Sequence, residues 1–122
     1  MATWMVHLRI ADKLLDQIPN LLPTEFIVGN IAPDSGIPNE DWSVFTPSGD
    51  ISHFKTTDAD GLKDIHINEY VERYLTLEQK KQYDGKQTSF YLGYLTHLLT
   101  DMMWANEIVR PGISKFKKLF EA

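Results

Sequence analysis

Residues 87–109, QTSFYLGYLTHLLTDMMWANEIV, decide the architecture of this chain. Phe90, Tyr91, Leu92, Tyr94, Leu95, Leu98, Leu99, Met102, Met103 and Trp104 recur so densely that the segment reads as a helix apolar on nearly all sides. A helix of that kind is buried, with other helices packed around it. Pro111-Gly112 marks its expected end. Inside it stand His97 and Asp101, four residues apart, so their side chains lie on one face and converge. An imidazole nitrogen and a carboxylate oxygen are both competent ligands for zinc and similar metals. The same spacing equally describes a hydrogen-bonded pair satisfying itself in a core, and His-x-x-x-Asp alone is a weak motif. The apolar setting favours the metal, because an ionised carboxylate is costly there unless it is paired or bound to a cation.

Outward from this segment the remaining elements are also helical. IHINEYVERYL carries helical periodicity, and Thr76 followed by Glu78 and Gln79 starts a further helix ending near Asp84-Gly85. Near the N-terminus, Met5, Val6, Ile10, Leu14, Leu15 and Ile18 alternate with Arg9, Asp12, Lys13 and Asp16, an amphipathic helix over residues 3–18. Pro19 and Pro23 close it, Thr24 caps a second short helix through Ile31, and Pro33 marks the end of that one. Between residues 32 and 62 lies a stretch rich in Pro, Gly, Ser, Asn and Asp, a long irregular connection of the sort that often carries function. SKFKKLFE reads as a last basic amphipathic turn or two, suited to a solvated surface or to contact with an anionic membrane. The expectation is an all-α fold: one compact helical domain over residues 1–122, or a piece of a longer protein, with a long irregular loop between the second and third helices.

Composition narrows the chemistry. A chain of 122 residues buries a core without help from disulfides. Its net charge of −5 argues against general binding to nucleic-acid backbones, where affinity comes from Lys and Arg, although a narrow cleft can still accept phosphate. With no cysteine, any metal must be held by His, Asp or Glu. MATWMVHLRIADKLL lacks the features of a signal peptide and no apolar run reaches spanning length, so a cytoplasmic location is the expectation. There is no Gly-rich phosphate loop and no nucleophile elbow.

Three further residues, His7, Asp34 and His53, are candidates, each with a plain structural reading beside the functional one. His7 lies among apolar residues of the first helix, with its face open between core and site. Asp34, in GNIAPDSG, is of a type that forms turns and caps. His53, in ISHF, is expected at the surface of the long loop if it has no function. His66, in DIHINEY, reads as a surface histidine. Trp4 reads as a packing aromatic.

Taken in order, His7, Asp34 in GNIAPD, His53 before Phe54, and FYLGYLTHLLTD resemble the zinc-dependent phospholipase C family, which also includes single-strand nucleases of the same helical fold. The resemblance runs from about residue 3 to residue 104. It implies that Asp34, His53, His97 and Asp101 hold one metal and that Asp101 bridges to a second held by His7. Two zinc ions are the implied cofactor, with other divalent metals chemically acceptable. Asp34 matches a family carboxylate that is a ligand and also a proposed general base. The implied activity is hydrolysis of a phosphodiester, in a phospholipid or another small molecule, by metal-activated water. The chain departs from the family in two ways. Trp4 is internal and three residues before His7, where the family has an N-terminal Trp whose amino and carbonyl groups complete the second metal's shell. No histidine follows His97, so the family's third metal set is missing; Glu107 reads as a solvated acid. These departures keep open a non-catalytic metal-binding helical interaction domain. An HD-type phosphohydrolase is disfavoured because the chain has no His-Asp dipeptide. Tyr91, Tyr94, Met102, Met103 and Trp104 read as core, with a lipid pocket as the alternative.

Overall fold

The computed structural model describes residues 2–57, 59, 63–112, 115 and 118. Most of the predicted basic segment SKFKKLFE lies outside them. The expected helical class is what the chain adopts, 68% helix with two small two-stranded sheets. Helix α1 spans Trp4–Gln17 and α2 spans Pro23–Ile31, continuing into a 3-10 turn over Ala32–Asp34. Pro23, not Thr24, opens α2: it takes a first-turn position, where its missing N–H costs no hydrogen bond. Leu22 just ahead of it donates its backbone N–H to Ser89 Oγ at 2.9 Å.

The connection between residues 32 and 62 is more ordered than its composition suggests. Strands β1 (Ile37–Pro38) and β2 (Phe45–Thr46) pair antiparallel, with Ile37 opposite Thr46. Short helix α3 (Gly49–Ser52) follows, capped by Ser48, whose side chain accepts from the N–H of Ile51. Strands β3 (Lys55–Thr57) and β4 (Lys63–Ile65) then pair antiparallel, with Thr56 opposite Asp64. Local side-chain hydrogen bonds build this region: Asn39 and Asp41 both accept from the backbone N–H of Ser43 at 3.0 Å.

Helices α4 (Ile67–Tyr74) and α5 (Leu77–Gln82) follow, and the predicted start at Thr76 is a complete capping box with Gln79. Asp84 does not end that helix. It caps the next one, α6 (Gly85–Trp104), in a second capping box with Gln87. After Trp104 the helix shifts into π geometry over Ala105–Val109, and helical backbone continues through Arg110–Gly112, past the proline expected to stop it. No helix among the described residues is long and apolar enough to cross a membrane.

The inner face of α6 differs from expectation. Its buried residues are Ser89, Gly93, His97, Leu98, Thr100 and Asp101, so the helix buries a mostly small and polar stripe, not a continuous apolar surface. Ser89, Gly93, His97 and Asp101 recur once per turn along it. Small residues let α2 come close: a Cβ on Gly93 would stand 2.2 Å from the carbonyl oxygen of Phe26, and one on Gly29 would stand 2.2 Å from that of Phe90. Only glycine fits both positions. The large side chains of α6 pack to one side, where Leu98, Tyr91, Tyr94 and Leu95 join Tyr70, Leu75 and Phe54 in an aromatic-rich core. Met103 departs from the core assignment, since it is exposed; with Trp104, Val6, Ile10 and Leu14 it lines a surface groove.

Candidate metal centre

The close crossing of α2 and α6 sets the backbone carbonyl of Asn30 2.5 Å from His97 Nδ1. A carbonyl can only accept, so Nδ1 carries the proton and Nε2 presents its lone pair. His53, at the C-terminal end of α3, is fixed in the same way: Nδ1 lies 2.9 Å from the carbonyl of Gly49 and 3.0 Å from Ser52 Oγ. Ser52 is itself anchored by donating to the carbonyl of Pro33 at 2.8 Å. Both imidazoles therefore turn Nε2 inward, and the two Nε2 atoms lie 3.1 Å apart.

Two carboxylates close around them. His53 Nε2 is 3.0 Å from Asp34 Oδ1, and His97 Nε2 is 3.1 Å from Asp101 Oδ2 and 3.7 Å from Asp34 Oδ2. Asp101 Oδ1 faces another way, 3.1 Å from His7 Nε2 and 3.2 Å from the backbone N–H of Ala2, which donates to it. The rings of His7 and His97 stack with centroids 3.7 Å apart. Trp4 donates its indole N–H to Asp34 Oδ2 at 3.1 Å.

All five candidates thus meet at one place, carried by α1, the turn after α2, the end of α3, and α6. His53 is not at the surface of its loop: it is buried, as are His7, His97 and Asp101. Asp34 is the accessible member, its side chain 24% exposed against 1% for Asp101. His66 stands apart at the N-terminus of α4, exposed, with Nε2 against the hydroxyl of Thr56. Glu107 is exposed in the π segment. Trp4 is no packing aromatic; it is 54% exposed and serves as a donor to Asp34. Its role, like those of the Asn30 and Gly49 carbonyls, leaves no motif in the sequence.

The electrostatics follow from this geometry. Burial pushes the Asp101 carboxyl up, but against protonated rings of His7 and His97, the charge that a bound cation would replace, it is held well below the usual carboxylate range. Asp34 shows the same balance more weakly: burial raises it, while a bond from His53 and the charges of His97 and His53, when those rings are protonated, bring it below its ordinary value.

The donor set fits a small divalent cation. His7, His97 and Asp101 each offer a ligand atom within 4.8 Å of the others, and so do Asp34, His53 and His97. Two imidazole nitrogens on one tetrahedral zinc, each about 2.0–2.1 Å from it, stand roughly 3.3 Å apart, close to the 3.1 Å between His53 and His97. Asp101 Oδ2 and His7 Nδ1 are buried with no hydrogen-bond partner among the described residues. Buried polar atoms of that kind call for an explanation, and a bound cation is a standard one. His97 belongs to both groups, yet with Nδ1 committed it has a single lone pair to give. Asp101 turns one oxygen toward His7 and the other toward His97.

The sequence matches the model of a family described as zinc dependent phospholipase C over residues 6–104. Searches of curated proteins and of solved structures return no match to this chain.

Proposed function

From the premise that this chain belongs to the zinc-dependent phospholipase C family, we propose that it is a metal-dependent phosphodiester hydrolase with a dinuclear centre. Asp34, His53, His97 and Asp101 would hold one ion, and Asp101 with His7 would hold a second. The observation that carries this reading is the pair of lone pairs set 3.1 Å apart on His53 and His97, between two carboxylates. Facing lone pairs repel unless a proton or a cation sits between them.

When bound, zinc would supply Lewis acidity and a water acidic enough to ionise near neutral pH. The chain's own residues do the rest. Asp34 is the carboxylate that solvent and substrate reach, so it is assigned as the general base, taking a proton from the attacking water. The water oxygen forms a bond to phosphorus, the phosphorus–oxygen bond to the alcohol breaks, and the alcohol leaves with a proton from solvent. Trp4 holds Asp34 through Oδ2, which keeps its other oxygen toward His53. The β1–β2 hairpin exposes Ile37, Trp42 and Val44 beyond Asp34 in the chain, side chains suited to rest on a lipid surface carrying the substrate. We place the protein in the cytoplasm.

The test is metal content after purification without chelator, together with hydrolysis of a chromogenic phosphodiester. Zinc-dependent turnover that falls by about a hundredfold or more in Asp34→Asn is the expected result for loss of a general base. A protein that binds no added zinc removes the reading. Full zinc occupancy without hydrolysis, unchanged by Asp34→Asn, favours the non-catalytic binding domain.

A further inference from the structure

Strands β3 and β4 and the π segment enclose a cavity of about 180 Å³, and Asp101 forms part of its wall, so the cavity adjoins the proposed centre. Ile65, Ala105 and Val109 line it with carbon. Lys63 and Arg110 line it too, but their charged ends are held by carboxylates outside it: Lys63 by Asp50, and Arg110 by Asp64 at 2.7 Å. What these two residues add to the wall is their hydrocarbon stems. Lys55 and Asp101 are the remaining lining residues, and the Lys55 ammonium lies in the field of both Asp101 and Asp34. The chamber is therefore apolar except where it approaches the centre. Ala105 and Val109 are also the first and last residues of the π segment, a departure from α geometry of a kind that recurs at functional sites.

Resting on the hydrolase reading above, we propose that this cavity is a specificity pocket of the phosphodiester site and takes an uncharged apolar substituent of the substrate, a short branched alkyl or a phenyl group. An apolar cavity of about 150 Å³ admits a benzene molecule, so the volume here suits a group of that size and is too small for a long acyl chain. Each methylene moved from water into such a chamber strengthens binding about fourfold. A quaternary ammonium of the same shape gives up its hydration there, which is costly for a charge, and it meets Lys55, of like sign.

Chromogenic p-nitrophenyl phosphodiesters test this on the zinc-loaded protein, with methanol, neohexanol or choline as the second alcohol. Neohexanol and choline are alike in shape and differ in charge. The expected wild-type kcat/KM for the neohexyl ester exceeds that for the methyl and choline esters by about tenfold or more. Ala105→Leu fills the chamber and should bring the neohexyl-to-methyl ratio to within about twofold of unity, since the added methylenes then stay in water. Should Ala105→Leu fail to fold, Val109→Phe fills the chamber from the other end of the π segment. A wild-type preference for the choline ester, equal rates for the methyl and neohexyl esters, or a ratio unmoved by filling overturns the pocket and leaves the hydrolase reading standing. If wild type cleaves none of the esters, the hydrolase reading fails, and calorimetry with phenylphosphonate and methylphosphonate decides the pocket. Phenylphosphonate bound about tenfold more tightly, with the difference lost on filling, sustains it. Equal affinities, no binding, or a difference untouched by filling overturns it.

Discussion

The Nε2 atoms of His53 and His97 lie 3.1 Å apart while each ring commits its Nδ1 proton to a backbone carbonyl, of Gly49 and of Asn30. In the folded chain the two rings cannot turn away without breaking those bonds, so folding brings together lone pairs that call for a cation. Metal binding must then contribute to stability. Free zinc about a thousandfold above its Kd adds about 4 kcal/mol, which for a domain of this size corresponds to a rise of more than about 10 °C in Tm. Thermal unfolding with zinc and with chelator measures it, and coincident curves would count against the centre.

The Asn30 carbonyl reaches His97 only because Gly93 lets α2 lie close on α6. In Gly93→Ala the new methyl would meet the Phe26 carbonyl at 2.2 Å, a backbone atom that cannot swing aside. The helices must separate, at a cost of about 3 kcal/mol for overpacking. Zinc affinity should drop along with stability, since His97 loses the acceptor that fixes its tautomer. Calorimetric zinc titration of the folded variant checks this. Undiminished affinity would mean that the Asn30 contact does not orient the ligand.

How far the sequence disclosed all this depends on whether a feature is local. His97 and Asp101 are legible because four residues along a helix is a fixed geometry, and the Thr76 capping box is legible for the same reason. His7, Asp34 and His53 come together across long separations, and only their order, resembling a family pattern, drew them into one site. The polar stripe of α6 was hidden because Ser89, Gly93 and Thr100 look incidental among larger apolar neighbours, and burial is decided by what packs against them. Trp4 as a donor to Asp34, and the two backbone carbonyls behind His53 and His97, have no side-chain pattern at all. The hairpins β1–β2 and β3–β4 leave no pattern in the sequence because two- and three-residue strands are too short to show alternation.

The aromatic core predicts an alkaline limit. Burial raises the Tyr94 hydroxyl to about 12 and Tyr70 further still. Both groups are neutral in folded and unfolded chains below about pH 10, the ordinary tyrosine value, so they confer no pH dependence there. Above it the unfolded chain releases protons that the folded one retains, and stability must decline as pH climbs toward 12. Urea midpoints measured between pH 8 and 12 should fall through the upper half of that range. Tyr94→Phe should flatten the decline, although it also gives up the hydroxyl's bond to the Ser52 carbonyl. A flat profile in the wild type would show that these hydroxyls ionise in place.

The bridge proposed for Asp101 would make the two metal positions unequal. His7 reaches only Asp101 Oδ1, whereas His97 and His53 share Oδ2, at 3.1 and 3.5 Å. Replacing His7 with Ala should therefore release one ion and leave the other, held by Asp34, His53, His97 and the remaining carboxylate oxygen. His97→Ala removes a ligand from the better-furnished position and leaves Asp101 without the contact that directs Oδ2 toward His53, so both ions should be lost or weakened by about a hundredfold. Zinc-to-protein ratios by mass spectrometry under native conditions separate the cases: two for wild type, one for His7→Ala, and none for His97→Ala. A ratio of one in the wild type, unaltered in His7→Ala, would confine the centre to a single ion and return His7 to a stacking partner of His97.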